Sequence, residues 1–283
     1  MAGEHLYLRE EFKRFWQNKD PFIEAGKIRG KVFREHKART TLCFDLNGKR
    51  YFLKLHKGIG WKEILKDLFQ LRLPVLGAGN EQKAVLALTE IGVGTMSVAA
   101  FGEKGFNPAR KRSFIITDAI EPATSLEDVA LQWRENSPVL KQKRAIFRRV
   151  CEMARLMHEN NINHRDFYIC HFLWRGYPEG GSDSVLLDST QPDLALIDLH
   201  RALIHKKLPY RWRVKDLAGL YYSVMDEKPT NGDRFRFITA YSRKTLRAAL
   251  TEDATLWGEV ERKAKKLYKK DIRKGIKKPR IKQ

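Results

Sequence analysis

Several stretches within the first 120 residues alternate apolar and polar positions with the period of β-strands. Two early stretches are rich in β-branched and aromatic side chains, and the dipeptide Asn47-Gly48 separates the two halves of the second one. Such a dipeptide between two alternating runs predicts a tight hairpin. The stretches that predict strands are residues 27–35, 40–56, 95–104 and 112–120.

Helical patterns interrupt these strands and dominate after Glu121. Ser125 and Asp128 have the spacing of a helix-capping pair. Residues 141–160 carry a stripe of apolar residues with the helix period over three turns, formed by Ile146, Val150, Met153 and Met157. The remaining helices are predicted at 60–73 (ending before Pro74), at 79–92 with Ala84, Val85 and Leu88 on one face, and at 125–133, 214–225, 234–246 and the basic tail. Two short strands are predicted at 185–188 and 194–200.

The change from strands to helices predicts an α+β fold with two lobes. We place a strand-rich N-terminal lobe at residues 1–118 and a helical C-terminal lobe at 119–283, with a basic tail from about residue 259. The hinge between them is expected near Asp118 to Glu121. No internal repeat or low-complexity linker interrupts this arrangement.

The chain carries a strong positive charge that is concentrated at its end. The formal net charge is +21, and residues 262–283 contain twelve Lys or Arg against one Asp. Charge of this sign favours an anionic membrane surface, a phosphorylated substrate, an acidic protein or nucleic acid. We find no recognition helix, zinc finger or aromatic RNA-binding motif, and the six Trp residues are dispersed, so we expect no nucleic-acid partner. The tail alternatively is a solvated helix, or one that lies on a lipid surface through a narrow stripe of Val260, Ala264 and Leu267.

The remaining composition points to the cytoplasm. No apolar run approaches the length that spans a bilayer, and the N-terminus has acidic residues without a signal-peptide core. Three scattered cysteines form neither a disulfide framework nor a metal motif.

Five residues occur in the order and on the element types that ATP-dependent phosphoryl transfer requires. Asp166, in a His164-Arg165-Asp166 triplet after the long amphipathic helix, is a carboxylate suited to accept the proton of an attacking hydroxyl. Lys54 lies on the strand that closes the Asn-Gly hairpin, where its ammonium can neutralise phosphate charge. Glu81, at the start of a helix, can pair with Lys54.

Downstream carboxylates complete the set. Asp198 ends an apolar strand and can hold Mg²⁺, and Asp216 opens the next helix. Glu63 is the rival to Glu81 as partner of Lys54, because it is closer in sequence to the usual Lys–Glu separation. We favour Glu81 because the residues after it show the helix-to-strand pattern of kinases.

Several segments resemble one kinase family. "HRDFYICHFLW", "YFLKLHKGIGWKEILKDL", "LPVLGAGNE" and "DLHRA" are similar to the lipopolysaccharide core heptose(I) kinases, and the resemblance extends from about residue 12 to about residue 265. That family has the protein-kinase-like fold. The resemblance implies transfer of the γ-phosphate of ATP, with Mg²⁺, to O4 of heptose I in the inner core, in a Gram-negative cell at the cytoplasmic face of the inner membrane.

The resemblance also implies roles for individual residues. Asp166 would be the base, with Arg165 and His164 beside it, and Asp216 would brace their loop. Lys54 would bind the α and β phosphates, and Asp198 would hold the metal. Asp118 and Ala119 would meet adenine through their backbone.

Three positions depart from the general kinase pattern. No glycine-rich loop precedes Lys54, and "GKVFREHKARTT" with its basic side chains stands in its place. His171 replaces an Asn metal ligand, and because Mg²⁺ prefers oxygen, we expect His171 to contact phosphate or Asp198, or to brace the loop. His200 replaces the Gly of the usual Asp-Phe-Gly turn, which leaves the movement of that loop open.

The motif residues are compatible with more than one acceptor and more than one partner. A Kdo kinase, or a kinase of another small hydroxyl compound, keeps the same chemistry with a different acceptor. A scaffold without activity that binds nucleotide or nucleic acid is the alternative of another class, and the intact Lys54, Asp166 and Asp198 argue against it. An acidic protein such as an acyl carrier protein is a partner that the positive charge permits.

Overall fold

A computed structural model of the chain describes residues 4–36, 39–69, 77–135, 140–177 and 192–276. It divides into two compact units. Unit 1 comprises Met1–Thr89, Thr95–Ile120 and Asp198–Arg201, and unit 2 comprises Glu90–Gly94, Glu121–Ile197 and Ala202–Gln283. The prediction of a sheet-rich N-terminal part and a helical C-terminal part is confirmed. Neither unit is continuous in sequence. Residues 90–94 belong to unit 2, and residues 198–201 belong to unit 1.

Among the described residues, unit 1 is built on one antiparallel sheet of six strands: β1 (Glu4–Leu8), β2 (Lys31–His36), β3 (Arg39–Leu46), β4 (Lys49–His56), β5 (Val98–Lys104) and β6 (Arg112–Asp118). Their order in the sheet is β1-β5-β6-β4-β3-β2. Asn47 and Gly48 both have positive φ, 51° and 74°, so the turn between β3 and β4 is the tight hairpin that the sequence predicts. This turn fixes the register, which pairs Thr41 with Lys54 and Arg39 with His56.

The two faces of this sheet have different neighbours because successive side chains point in opposite directions. Helices α1 (Glu10–Phe15) and α2 (Pro21–Lys27) cover one face. Phe12 and Trp16 are buried there against Tyr51, with ring centroids of Phe12 and Tyr51 5.2 Å apart and edge to face. The opposite face carries Lys54 and His56. The sequence pattern does not predict β1, α1 and α2, which are short and flanked by exposed residues.

Two further helices belong to the strand-rich half of the chain. Helix α3 (Gly60–Phe69) begins where predicted, but the predicted end before Pro74 lies outside the described residues. Helix α4 (Gly79–Glu90) buries Ala84, Val85 and Leu88, as its periodicity predicts. Its first turn contains Glu81, which has no solvent exposure.

Unit 2 is mainly helical, and its described part contains two small antiparallel sheets. The strands are β7 (Ala123–Ser125), β8 (Ile162–Asn163), β9 (Phe172–Arg175), β10 (Leu194–Leu196) and β11 (Leu203–Ile204). One sheet has the order β10-β9-β7, and the other pairs β11 with β8. The helices are α5 (Leu126–Glu135), α6 (Leu140–Glu159), α7 (Tyr210–Ser223), α8 (Asn231–Ser242), α9 (Leu246–Glu252) and α10 (Ala254–Arg273). The strand predicted at 185–188 lies outside the described residues.

Helix patterns in unit 2 agree with the sequence. The Ile146, Val150, Met153 and Met157 side chains of α6 are all buried. The Asp128 N–H donates to Ser125 Oγ over 3.1 Å, which caps α5 as predicted. The stretch predicted as one helix at 234–246 is instead α8 followed by α9, and Arg243 takes a left-handed backbone, φ 51°, at the break.

The basic helix α10 packs on α7 through its own apolar stripe. Val260, Ala264 and Tyr268 are buried, and the Tyr268 hydroxyl donates to Asp226 Oδ1 over 2.6 Å. Val260 and Ala264, two of the three residues expected to face a lipid surface, are therefore buried inside unit 2, whereas Leu267 is half-buried. No described helix is both long enough and apolar enough to cross a membrane.

Unit 2 also contains an apolar cavity of about 400 Å³. Side chains from α5, α6, α7, α8, α9 and α10 line it, with Ile146, Val150, Leu217, Phe237 and Trp257 among them. The volume lies in the range of small-molecule sites, which are typically about 300–1,000 Å³.

Candidate active site

A buried ion pair holds Lys54 in unit 1. Lys54 Nζ lies 2.6 Å from Glu81 Oε1 and 3.4 Å from Asp198 Oδ1. Burial alone would lower the pKa of Lys54, but the two carboxylates outweigh it, so the pKa lies above its ordinary value and the side chain stays charged. The ammonium is therefore fixed and positive, which suits it to bind phosphate oxygens.

The rival partner of Lys54 makes a different contact. Glu63, on α3, pairs with Lys66 on the same helix over 3.0 Å, and both side chains are at least half exposed. Glu81 instead starts α4 next to β4. The helix N-terminus is favourable for its negative charge. The structure thus pairs Lys54 with Glu81.

Two further basic residues share the face of the sheet that carries Lys54. The register places Arg39 directly opposite His56 on neighbouring strands, and the positive charge of Arg39 acts on both His56 and Lys54. His56 is 6% exposed, and its Nε2 atom finds no hydrogen-bond partner among the described residues. Burial and the charges of Arg39, Lys54 and His200 lower the pKa of His56 to about 3. Arg39 and His56 were not among the predicted site residues, although strand alternation from Lys54 is a signal that indicates them.

Asp198 lies at the start of a short 3-10 turn, Leu199–Arg201, that belongs to unit 1. Its backbone is left-handed, φ 61°, and its Oδ1 atom accepts a hydrogen bond from His200 Nδ1 over 2.6 Å. His200 thus orients the carboxylate, which is a contact that a Gly at this position cannot make.

The Asp198 carboxylate fits a magnesium site of the kind that substrate phosphates complete. Mg²⁺ prefers oxygen and commonly takes one or two carboxylates together with phosphate and water. Within the described ranges, no group of three or more carboxylate, His or Cys side chains is arranged to hold a metal by itself. The protein therefore offers carboxylate oxygen from Asp198, and the other ligands would come from nucleotide and water.

The loop that carries Asp166 lies in unit 2 between β8 and a 3-10 turn at Ile169–His171. Asp216 on α7 has no solvent exposure and accepts two backbone N–H groups of this loop, from His164 over 2.6 Å and from Arg165 over 2.8 Å. Arg165 has φ 72°, a conformation that costs an L-residue roughly 1–2 kcal/mol. The two hydrogen bonds to a buried carboxylate offset that cost and fix the loop next to Asp166, which is the bracing expected for Asp216.

Two histidines of the loop hold its backbone. His164 Nε2 lies 2.9 Å from the carbonyl oxygen of Ile197, and His171 Nδ1 lies 2.7 Å from the carbonyl oxygen of Asp166. Because carbonyls only accept, both ring nitrogens must carry protons and donate. Of the alternatives for His171, bracing of the loop is the one that these contacts support.

The segment expected to meet adenine is already bonded within unit 1. The Asp118 N–H donates to the Ser97 carbonyl and the Ala119 N–H to the Arg50 carbonyl, each over 3.0 Å. The Asp118 carboxylate forms a two-pronged contact with Arg9, at 2.6 and 2.7 Å. An adenine contact at these two residues would therefore use carbonyl oxygens and not N–H groups.

Comparison with known proteins identifies relatives over nearly the whole chain. The family model "Lipopolysaccharide kinase (Kdo/WaaP) family" matches residues 24–241. The lipopolysaccharide core heptose(I) kinase WaaP of Pseudomonas aeruginosa is 44% identical over 270 residues, covering 95% of this chain and 98% of its own. The protein of that name from Escherichia coli K12 is 45% identical over 269 residues, covering 95% and 99%.

A solved structure described as WaaP in complex with acyl carrier protein superposes with a TM-score of 0.79 at 41% identity. The match covers 93% of this chain and 99% of that one. Since the family model spans more than half of the chain and the relatives align from end to end, this chain belongs to the lipopolysaccharide kinase (Kdo/WaaP) family.

Proposed function

We propose that the chain transfers the γ-phosphate of ATP to O4 of heptose I in the lipopolysaccharide inner core. The observation that carries the proposal is the His164-Arg165-Asp166 loop held by Asp216. This loop occurs in a chain whose relatives, aligned over nearly its full length, are named heptose(I) kinases.

Each charged group has one task in this reaction. The Asp166 carboxylate accepts the proton of the heptose hydroxyl as its oxygen attacks phosphorus. Lys54, kept charged by Glu81, binds the α and β phosphates of ATP. Asp198, oriented by His200, would hold Mg²⁺, which when bound neutralises phosphate charge.

The experiment that tests this function is phosphate transfer from labelled ATP by the full chain. Acceptors are lipopolysaccharide that lacks the heptose phosphate, Kdo-terminated core, free heptose and a generic protein. We expect transfer to the first acceptor alone, and a loss on the order of 10²–10⁴-fold in kcat for Asp166→Asn. Asp193→Asn, which alters an exposed aspartate in the same unit, is the matched control.

Transfer to another acceptor, or none, would change the conclusion. Labelling of Kdo would support the same phosphate transfer with Kdo as the acceptor in place of heptose. The family description also names Kdo. ATP binding without transfer to any acceptor would support the inactive scaffold instead. Because the acceptor is a lipid-anchored sugar, the proposed place of action is the inner face of the inner membrane, with the exposed basic face of α10 towards anionic lipid.

An acyl carrier protein is the partner that we propose for unit 2. A related WaaP is described in complex with one. The basic charge of this chain suits an acidic protein, and the cavity of about 400 Å³ between the helices of unit 2 is lined by apolar side chains that suit an acyl chain.

Filling the cavity tests this partner. Gly258 lines it, and a Cβ there would meet no other atom within 4 Å. We expect Gly258→Phe to weaken binding of purified acylated carrier protein, measured by calorimetry, while Gly258→Ala binds as the original chain does. Equal affinity of both variants for acylated and unacylated carrier would remove the cavity from the proposal.

A further inference from the structure

A single indole in unit 2 gathers three positive side chains. Trp212 lies in the first turn of α7, and its ring centroid is 5.2 Å from the guanidinium carbon of Arg165. The guanidinium carbon of Arg211 lies 5.1 Å and Lys215 Nζ 5.3 Å from the same ring. All three distances are within the range of cation–π contact. We call Trp212, Arg165, Arg211 and Lys215 the Trp212 cluster.

The sequence builds this cluster from one helix and one loop. Arg211 and Lys215 are four residues apart on α7 and so flank Trp212 on the same side of the helix. Arg165 belongs to the Asp166 loop, and its backbone N–H donates to Asp216, which is also on α7. This hydrogen bond holds Arg165 next to the helix. One helix therefore holds both the indole and the loop that carries Asp166.

The exposure of the three cations differs along the cluster. Arg165 is 5% exposed, whereas Arg211 is open to solvent. The cluster thus extends from the base of the loop to the surface of unit 2.

The cluster brings three positive side chains to one ring. An indole offsets only part of the mutual repulsion of nearby cations. Burial lowers the pKa of His205, the Asp216 carboxylate opposes this, and the charges of Arg165 and Arg211 add to it. A gathered set of donors of this kind favours carboxylate or phosphate oxygens.

We propose that the Trp212 cluster is the subsite for an anionic group of the acceptor, a carboxylate or phosphate carried by a sugar next to the hydroxyl that receives phosphate. This proposal rests on the proposed function. Arg165 immediately precedes Asp166 in the chain, so an anion held by the cluster positions the neighbouring hydroxyl for the Asp166 loop. The cluster then selects acceptors by charge, whereas Lys54 in unit 1 binds the nucleotide.

Steady-state kinetics with the full chain test the subsite. We expect Arg211→Gln together with Lys215→Gln to raise the KM for lipopolysaccharide about tenfold or more, since each lost contact is a charge-assisted one. The KM for ATP should stay constant, and the difference from the original chain should shrink at high salt. Trp212→Leu should raise the acceptor KM without changing any charge, and Trp212→Phe, which keeps a ring, should restore most of it.

The matched control is Arg148→Gln, which removes an exposed cation from α6. Circular dichroism of each variant verifies folding. An acceptor KM for the double variant within twofold of that for Arg148→Gln would overturn the subsite. So would a rise in the ATP KM as large as the rise in the acceptor KM.

Two small anions distinguish the sources of the charge. Free Kdo represents a carboxylate of the acceptor, and inorganic phosphate represents a phosphate of the acceptor. Competition with lipopolysaccharide by either anion, lost in the double variant, supports the subsite and identifies its ligand. If the original chain phosphorylates no lipopolysaccharide, the proposed function fails, but quenching of indole fluorescence by these anions still tests the cluster. Equal binding of both anions to the original chain and the double variant would then refute it.

Discussion

His56 offers the sharpest test of the electrostatics around Lys54. Its imidazole is buried on the Lys54 face of the sheet, and Arg39 stands opposite it on the neighbouring strand. Burial and the positive charges around it lower the pKa of His56 from 6.5 to about 3. Replacing it with Phe removes the titrating group and keeps a ring of similar size.

The sign and size of the effect follow from proton linkage. Between about pH 3 and pH 6.5 the unfolded chain binds a proton at this residue and the folded chain does not, so the free energy of unfolding falls as the pH falls. At pH 5 the loss relative to neutral pH is about 2 kcal/mol, and below pH 3 it levels off near 5 kcal/mol, at about 1.4 kcal/mol per pH unit. The contribution is fully present above pH 6.5.

Urea unfolding at pH 7.5 and pH 5.0, followed by tryptophan fluorescence, measures this loss. We expect His56→Phe to lose about 2 kcal/mol less than the original chain between the two pH values. His5→Phe, at an exposed position on β1, should leave the loss unchanged. In the NMR spectrum, the imidazole Hε1 signal of His56 should not shift between pH 7.5 and 4.5. A signal that titrates near pH 6.5, or equal losses in the original chain and His56→Phe, would refute the assigned burial and charge.

Three substitutions test the remaining contacts. Glu81→Gln leaves Lys54 without its closest counter-charge, so we expect a loss of stability of about 3–5 kcal/mol in thermal unfolding and a higher KM for ATP. Glu63→Gln, at an exposed position, is the control and should change neither the stability nor the KM for ATP. Asp216→Asn replaces one acceptor oxygen by a donor, and kcat should fall while both KM values change little, with about 1–3 kcal/mol lost in urea unfolding. Arg39 is the candidate for the phosphate contact that a glycine-rich loop makes in other kinases, so Arg39→Gln should raise the KM for ATP several-fold at a constant acceptor KM. An unchanged KM for ATP would exclude Arg39 from that role.

Local patterns predicted much of the fold because the residues that determine them are close in sequence. The hairpin at Asn47-Gly48 and the stripe of α6 depend on turn chemistry and helix period alone. The strand β1 escaped prediction because it is a five-residue edge strand with little burial, and its pairing with β5 spans almost the whole length of unit 1.

In the candidate site, too, contacts between residues far apart in sequence were the ones that local patterns did not predict. The order of elements predicted only that Asp216 opens a helix, and its role in bracing the loop came from the family resemblance; its two hydrogen bonds to the loop are consistent with that role. Trp212 escaped notice because its contact with Arg165 joins residues far apart in sequence, which no periodic pattern records. Arg39 was within reach, since the hairpin turn fixes which β3 residue lies opposite each β4 residue.

The histidines that depart from the general kinase pattern share one physical role. Asp198 adopts a left-handed backbone, φ 61°, and its carboxylate is turned by the imidazole of His200. Arg165 adopts a similar backbone, and the loop around it is held by side-chain hydrogen bonds that include those of His164 and His171. A non-glycine residue keeps such a conformation only where its surroundings over-determine it. A turn held by imidazole donors is stiffer than one that depends on glycine, because the hydrogen bonds must break before the backbone can rotate. We therefore expect both turns to keep their conformation when nucleotide binds. Equal amide hydrogen exchange at residues 164–171 and 198–201 with and without ATP would agree with this, and strong protection that appears only with ATP would show that nucleotide orders them.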